Sequence, residues 1–212
     1  MAYGAAELIT VVLVEDHDLV RDLFCEDFSE KNGFQTLGAT ADASLADELC
    51  RDLRPALLIM DVCTEGGASG LDALERIRPL YPNMKIILMS GYDELSYAPR
   101  AKKHGANAFV FKSVSSAFFL DIVRRVLNGE AYFPEPLKIP VPEGEAPFTN
   151  REMEILRLLC KKKSRAEIAD LLYISEGTVN KHIERMREKG GFSSTFDMVV
   201  DIVSKGWINP NF

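Results

Sequence analysis

The sequence has few cysteines, no long apolar run and no low-complexity tract, and each absence excludes a class of protein. Its 212 residues include four cysteines, scattered singly without a CxxC pair, so a disulfide scaffold is excluded and reduced thiols in a cytoplasm are expected. No apolar stretch approaches the ~20 residues that span a bilayer, which argues against a membrane protein. Residues 1–14 lack Lys and Arg, unlike a secretory signal, and therefore predict a first strand of the fold.

Charge is distributed unevenly along the chain, whose net charge is -7. Residues 1–130 contain 13 Lys and Arg against 20 Asp and Glu, whereas residues 148–212 contain 11 against 9. An acidic first part and a mildly basic last part predict different partners for the two parts. The basic end is where a polyanion would bind.

The first 130 residues alternate between short apolar runs and segments of helical length. The runs are rich in Val, Ile, Leu and Phe, which is typical of buried parallel strands, and several of the intervening segments have the apolar spacing of amphipathic helices. Five βα units in a row predict a doubly wound, five-stranded parallel sheet with helices on both faces. The predicted strands are Ile9–Val14, Phe34–Ala39, Ala56–Met60, Lys85–Met89 and Ala108–Phe111, and the predicted helices are Leu19–Glu30, Ser44–Leu53, Leu71–Leu80, Glu94–His104 and Ala117–Asn128.

Proline marks the boundary of this first domain, residues 1–128. Residues 129–147 hold five of the ten prolines and show no periodic pattern, which predicts a semi-rigid linker. Residues 148–212 then have an all-helical pattern. The predicted helices are Thr149–Lys161, Ser164–Leu172, Glu176–Lys189 and Thr195–Lys205, the first two beginning with capping boxes, Thr149 with Glu152 and Ser164 with Glu167.

Polar side chains follow four of the predicted strands. Glu15 and Asp16 follow the first strand, Asp61 the third, Ser90 the fourth and Lys112 the fifth. Because the carboxyl ends of parallel strands meet at one edge of the sheet, we expect these side chains to lie together. Three converging carboxylates repel one another unless a cation lies among them, and such oxygen ligands suit Mg²⁺. That metal would neutralise a phosphoryl group arriving at one carboxylate, while the lysine and the hydroxyl hold its other oxygens.

This set resembles the receiver domain of two-component response regulators across residues 8–128. The resemblance implies a flavodoxin-like fold in which Asp61 accepts a phosphoryl group from a histidine kinase with Mg²⁺ as cofactor. It also implies that Glu15, Asp16, Asp61 and the backbone carbonyl of Cys63 hold the metal. His17 follows the acidic pair, but a lone histidine there is expected to be a capping or solvated residue.

The resemblance further implies a switch, in which Ser90 supplies a hydroxyl, Phe109 an aromatic ring that moves inward, and Lys112 the lysine of the family. One departure is the loop after Asp61, which reads Val-Cys-Thr-Glu-Gly-Gly-Ala-Ser-Gly, without the usual Met-Pro pair and with one extra residue. This loop leaves open a receiver that phosphorylation does not regulate. An unrelated flavodoxin-like domain with solvated acidic loops is the other alternative.

The last domain contains a short helix, a tight turn and a second helix that begins with a small hydroxyl residue, which is what insertion into a DNA major groove requires. It resembles the LuxR-type helix-turn-helix over residues 148–205, with Thr178, Val179 and His182 matching the signature of the recognition helix. Arg187 also lies on the predicted outer face. The residues predicted to contact DNA are Thr178, Asn180, Lys181, Arg185 and Arg165.

The two resemblances together are those of a NarL/FixJ-type response regulator. They imply a cytoplasmic regulator, not an enzyme, that binds double-stranded DNA, controls transcription and forms a homodimer when active. Asn180, Glu184 and Ala166 stand where basic residues are common, which lowers the positive charge of the expected DNA face. A phosphorylation-dependent protein-interaction module without DNA output therefore remains the alternative function.

Overall fold

The computed structural model describes residues 7–92, 94–135 and 139–210, and the chain forms two compact units. Unit 1 comprises Met1–Gly91 and Tyr97–Glu135, and unit 2 comprises Tyr92–Ser96 and Pro136–Phe212. The part of the predicted N-terminal strand region that precedes residue 7 lies outside the described residues.

Unit 1 is built on a five-stranded parallel sheet with the strand order β2-β1-β3-β4-β5. The predicted fold class is confirmed, and the winding reverses between β1 and β3, which is where such sheets bind their ligands. The strands are β1 (Ile9–Val14), β2 (Phe34–Thr40), β3 (Leu57–Asp61), β4 (Lys85–Ser90) and β5 (Ala108–Phe111), and the helices are α1 (Asp18–Asp27), α2 (Ala46–Leu53), α3 (Gly70–Leu80), α4 (Tyr97–Lys103) and α5 (Ser116–Leu127).

The central strands are apolar because both faces of the sheet are covered. Every residue of β3 is buried, as expected for a parallel strand between two layers of helices. On one face, Phe28 meets Phe34 and Phe119 edge to face, at ring-centroid distances of 5.0 and 6.1 Å. These three rings belong to the hydrophobic core on that face of the sheet.

Most predicted element boundaries differ from the structure by one to three residues, and three of these differences concern β3, β4 and α4. Asp61 and Ser90 do not follow β3 and β4 but end them, because Asp61 pairs with Met89 and Ser90 pairs with Phe111 in the sheet. The helix predicted to begin at Glu94 begins at Tyr97, since Tyr92–Ser96 groups with unit 2.

The first part of the predicted linker is packed onto unit 1. Tyr132 continues the sheet beside β5, because its carbonyl accepts a hydrogen bond from Phe109 at 2.9 Å and its N–H donates to Asn107 at 3.2 Å. Its ring lies edge to face with Phe118, 6.0 Å away. Further along, Ile139 belongs to the core of unit 2. Residues 136–138 of the predicted linker lie outside the described residues.

Unit 2 contains a cluster of short helices. Both predicted capping boxes are confirmed. The Glu152 carboxylate also accepts a hydrogen bond from Lys189 at 2.8 Å. Burial alone would raise the pKa of Glu152, but these hydrogen bonds hold it below its usual value. The helices are α6 (Asn150–Cys160), α7 (Arg165–Leu172), α8 (Glu176–Gly190) and α9 (Thr195–Ser204).

In the ranges that the structure describes, no helix combines the length and apolarity needed to cross a bilayer.

Candidate functional site

The side chains of Glu15, Asp61 and Lys112 meet at the carboxyl edge of the sheet. The Lys112 ammonium lies 2.5 Å from Oδ2 of Asp61 and 2.7 Å from the Glu15 carboxylate. Both carboxylates are buried, and Asp16, the next residue along the chain, is partly exposed at the rim. The topology explains this meeting, because the three residues lie at the carboxyl ends of three strands of one parallel sheet. Strands β1 and β3 are neighbours, and β4 lies between β3 and β5.

The surroundings of Asp61 disfavour the charged form of its carboxyl group. Burial raises the pKa of Asp61 from its ordinary 3.8 to about 6, although the neighbouring Lys112 acts in the opposite direction. Burial would lower the pKa of Lys112, but the carboxylates of Asp61 and Glu15 raise it above its usual value. The lysine therefore stays charged and compensates one of two buried carboxylates, so the pocket can accept a further cation.

The donor set fits a hard divalent cation. Two buried carboxylates, those of Glu15 and Asp61, share the single ammonium of Lys112, so a cation beside them would offset the remaining negative charge. Glu15, Asp16 and His17 bring ligand atoms within 4.8 Å of one another. The His17 ring is mostly exposed and lies 3.3 Å from Asp16, as expected for a solvated residue. Carboxylate oxygens are ligands that Mg²⁺ prefers.

The predicted switch residues Ser90 and Phe109 lie in the neighbouring strands β4 and β5. Ser90 is fully buried, and its carbonyl accepts a hydrogen bond from the Lys112 N–H at 2.8 Å, which fixes Lys112 beside the end of β4. Phe109 is also fully buried and packs edge to face on Phe111, with the ring centroids 5.3 Å apart. In this structure the Phe109 ring is therefore already in an inward, buried position.

The glycine-rich loop after Asp61 is closely tied to the sheet. Gly70 opens α3 so near to Asp61 that a Cβ atom there would lie 2.1 Å from the Asp61 carbonyl oxygen, which excludes any side chain. Thr64 is buried, donates from its hydroxyl to the Ala68 carbonyl and accepts the Ala43 N–H, both at 3.0 Å. The unusual loop is thus an ordered structure. The side chain of Glu65, in the same loop, lies outside the described part of the chain.

Two residues of unit 1 that contact this loop could not be identified from the sequence. Thr64 is a polar residue in a loop, and nothing in its spacing signals burial. Tyr97 opens α4, and its hydroxyl lies 3.3 Å from the sulfur of Cys63. Their long-range contacts depend on the path of a loop whose length departs from the usual pattern.

In unit 2, the turn between α7 and α8 has the predicted helix-turn-helix form. Ser175 caps α8 by accepting the N–H of Thr178 at 3.1 Å, and the two hydroxyl groups lie 2.9 Å apart. Val179 and Ile183 face the core, so the opposite face of α8 is presented to solvent. The half-buried Thr178 therefore lies at the exposed start of this helix.

The other residues predicted to contact DNA are exposed. Asn180, Lys181 and Arg185 share the solvent face of α8, and Arg165 is exposed at the start of α7. Among the residues that the structure describes, Lys181, Arg185 and Arg165 form no ion pair. Their charges therefore remain available to a polyanion.

Arg187 does not belong to this exposed set, contrary to the prediction. Its guanidinium donates to the carbonyl of Ser193 at 2.7 Å, and it lies 3.6 Å from the carboxylate of Glu184. His182 is half-buried, and its Nδ1 has no hydrogen-bond partner within the described ranges. Both residues are better placed to support α8 than to contact a ligand.

The two units match two family descriptions. Residues 11–124 match the family described as response regulator receiver domain. Residues 146–200 match the family described as bacterial regulatory proteins, luxR family.

Similar proteins of comparable length carry regulatory names. The transcriptional regulatory protein MctR of Rhizobium johnstonii is 28% identical over 196 residues, covering 90% of this chain and 91% of that protein. The response regulator protein VraR of Staphylococcus saprophyticus is 28% identical over 188 residues, covering 85% of this chain and 90% of that protein. A solved structure of RcsB bound to DNA is similar in fold, with a TM-score of 0.64 and 18% identity, covering 93% of this chain and 98% of that one.

Proposed function

The chain belongs to the response regulator receiver family and carries a DNA-binding domain of the LuxR family, and on that premise we propose that phosphorylation of Asp61 by a histidine kinase controls its binding to double-stranded DNA. A receiver joined to a LuxR-family domain is a DNA-binding transcription regulator and not an enzyme. The observation that carries the proposal is the buried pocket in which Lys112 lies between Asp61 and Glu15, 2.5 and 2.7 Å from their carboxylates.

The geometry supports phosphoryl transfer to Asp61. One carboxylate oxygen of Asp61 would attack the phosphorus of a phosphohistidine, forming a P–O bond while the P–N bond breaks and the imidazole leaves. Lys112 is close enough to Asp61 to offset the charge that the phosphoryl oxygens bring, and the hydroxyl of Ser90, at the end of the neighbouring strand, would donate to them.

Mg²⁺, held by Glu15, Asp16, Asp61 and the Cys63 carbonyl, would supply further compensation for the phosphoryl charge when bound. The two buried carboxylates of Glu15 and Asp61, of which Lys112 compensates one, support a cation at this place. Among this chain's own residues, Lys112 opposes the effect of burial and favours the ionised form of Asp61, and the backbone N–H of Cys63 donates to its Oδ1 and so orients the carboxylate.

The exposed face of α8 supports DNA binding. Lys181, Arg185 and Arg165 present positive charge, and Asn180 offers an amide that can read a base edge. The fold similarity to an RcsB–DNA complex is consistent with this use of unit 2. Because a helix-turn-helix protein usually reads two half-sites one helical turn apart, we expect the active form to be a homodimer.

Phosphate incorporation combined with DNA capture tests this proposal. The wild-type protein is incubated with Mg²⁺ and a phosphoramidate, and genomic fragments are then captured with and without the donor. We expect acid-labile phosphate on the wild type, none on Asp61→Asn, and a discrete set of captured fragments with the wild type. If no phosphate is incorporated, the receiver is inactive. If phosphate is incorporated but no fragment is retained, the protein is an interaction module without DNA output.

A further inference from the structure

The loop after Asp61 is fixed at its two ends by backbone hydrogen bonds. At its start, the Val62 N–H donates to Met89 at 2.8 Å, and at its end the Gly70 N–H donates back to Val62 at 2.9 Å. Cys63 and Ser69 form an antiparallel bridge between these two ends. The backbone of Cys63 is therefore placed next to Asp61, and its N–H donates to Oδ1 of Asp61 at 3.2 Å.

A side chain from a different element reaches this same cysteine. Tyr97, the first residue of α4, is among the largest fully buried side chains, with an exposed fraction of 1%. Its hydroxyl lies 3.3 Å from Sγ of Cys63. A phenylalanine would fill the same volume, so the hydroxyl is the only part of Tyr97 that packing does not explain. A buried hydroxyl is costly unless it finds a partner.

We propose that Tyr97 is a positioning residue for phosphoryl transfer to Asp61, acting through Cys63. The hydroxyl of Tyr97 holds the Cys63 side chain, and the backbone of Cys63 in turn holds Oδ1 of Asp61 and presents the carbonyl assigned to the metal. The inference rests on the proposed function, since it concerns the same carboxylate. Through the contact between Tyr97 and Cys63, α4 holds the loop that lacks the Met-Pro pair, and the loop in turn holds the acceptor carboxylate in place.

A double-mutant cycle separates this role from a general effect on packing. Initial rates of phosphate incorporation from a phosphoramidate are measured against Mg²⁺ concentration for Tyr97→Phe, Cys63→Ala and the double variant. Tyr97→Phe leaves the aromatic ring in place, and thermal unfolding of each full-length variant establishes that it is folded. Tyr132→Phe is the matched control, because it removes a tyrosine hydroxyl of the same unit beside β5.

We expect Tyr97→Phe to raise the Mg²⁺ concentration for half-maximal rate about twofold, the change that follows from losing one weak hydrogen bond to a thiol. The Mg²⁺ concentration for half-maximal rate should be no higher for the double variant than for the more affected single variant, because each single change already removes the same interaction. Cys63→Ser, which keeps a hydrogen-bonding group, should lose less than Cys63→Ala. Tyr132→Phe should match the wild type.

Two results would overturn the inference while leaving the proposed function intact. One is a Tyr97→Phe protein whose Mg²⁺ dependence equals that of the wild type. The other is a double variant in which the fold-change of the Mg²⁺ concentration for half-maximal rate equals the product of the two single fold-changes. That result would mean that Tyr97 and Cys63 act independently. If the wild-type protein itself takes up no phosphate, the proposed function fails instead.

Discussion

Lys112 lies 2.5 Å from Oδ2 of Asp61, although 51 residues separate them in the chain. The Asp61 carboxylate is buried and Lys112 is partly buried, and the buried carboxylate of Glu15 completes the group from a third strand end. A buried pair of this kind contributes little to stability by itself, and breaking it leaves an uncompensated charge. Its value here is chemical, because it keeps a carboxylate ionised at the place where a phosphoryl group would arrive.

Removing the Lys112 ammonium should therefore lower the rate of phosphorylation more than it lowers the stability of the protein. We expect Lys112→Ala to lower the rate of phosphate incorporation into Asp61 by about tenfold or more, as for a lost electrostatic stabiliser of a transition state. The measurement is the initial rate with a small phosphoryl donor at saturating Mg²⁺. Lys85→Ala, which removes a lysine from the opposite edge of the same sheet, is the charge-matched control. Equal rates for Lys112→Ala and the wild type would remove Lys112 from the site.

The raised pKa of Asp61 predicts a pH-dependent effect of Asp61→Asn on stability. The folded protein holds a proton on Asp61 up to about pH 6, whereas the ordinary pKa is 3.8. The cost of ionising the buried group is therefore absent below about pH 4, grows as the pH rises to about 6, and is constant above. Asp61→Asn should raise the free energy of unfolding by about 1–3 kcal/mol at pH 8 without Mg²⁺.

Urea unfolding at pH 4, 6 and 8 measures this difference, which should vanish near pH 4. Adding Mg²⁺ at pH 8 should stabilise the wild type and leave Asp61→Asn nearly unchanged, because the variant lacks the carboxylate charge that attracts the cation. A stability difference between the two proteins that does not change with pH would contradict the assignment of a raised pKa.

Gly70 should tolerate no side chain. In Gly70→Ala the new Cβ would lie 2.1 Å from the Asp61 carbonyl, so the start of α3 must shift. We expect a loss of about 1–3 kcal/mol in the free energy of unfolding, as for overpacked sites, together with slower phosphate incorporation. Gly177→Ala, at the start of α8, is the control and should not be destabilised, because its Cβ would make only an ordinary contact of 3.7 Å with the Ser175 hydroxyl oxygen. A fully stable Gly70→Ala protein would show that the loop adjusts freely.

The outline of both units could be predicted from the sequence, but the inner contacts of the site could not. Strand runs such as Ile9–Val14 were identified because burial on both faces requires uninterrupted apolar residues. Asp61, Ser90 and Lys112 could be placed at one edge because parallel strands bring their ends together. The contact between Tyr97 and Cys63 depends on the path of an irregular loop, and Arg187 was placed outward because helical spacing alone does not show that its side chain turns to Ser193.

The solvent face of α8 gives a prediction for salt dependence. If Lys181 contacts a phosphate, Lys181→Ala should lower the magnitude of the slope of log affinity against log salt by about one. If Lys181 contacts a base, the substitution should weaken the binding free energy by about 1–3 kcal/mol and relax specificity at that base. Titration of a captured DNA fragment at several salt concentrations distinguishes the two. Lys205→Ala, which removes a cation from the end of α9, controls for the change in net charge. No change in slope or affinity would exclude Lys181 from the interface.

The central claim, that the phosphorylated state of Asp61 controls DNA binding, is tested most directly by DNA affinity with and without a phosphoryl mimic. A captured fragment is titrated with the wild type and with Asp61→Asn, in Mg²⁺, before and after adding beryllofluoride. We predict that the mimic tightens binding by the wild type at least about fivefold, the lower range of allosteric coupling, and leaves Asp61→Asn unchanged. Equal affinity of the wild type with and without the mimic would contradict the account.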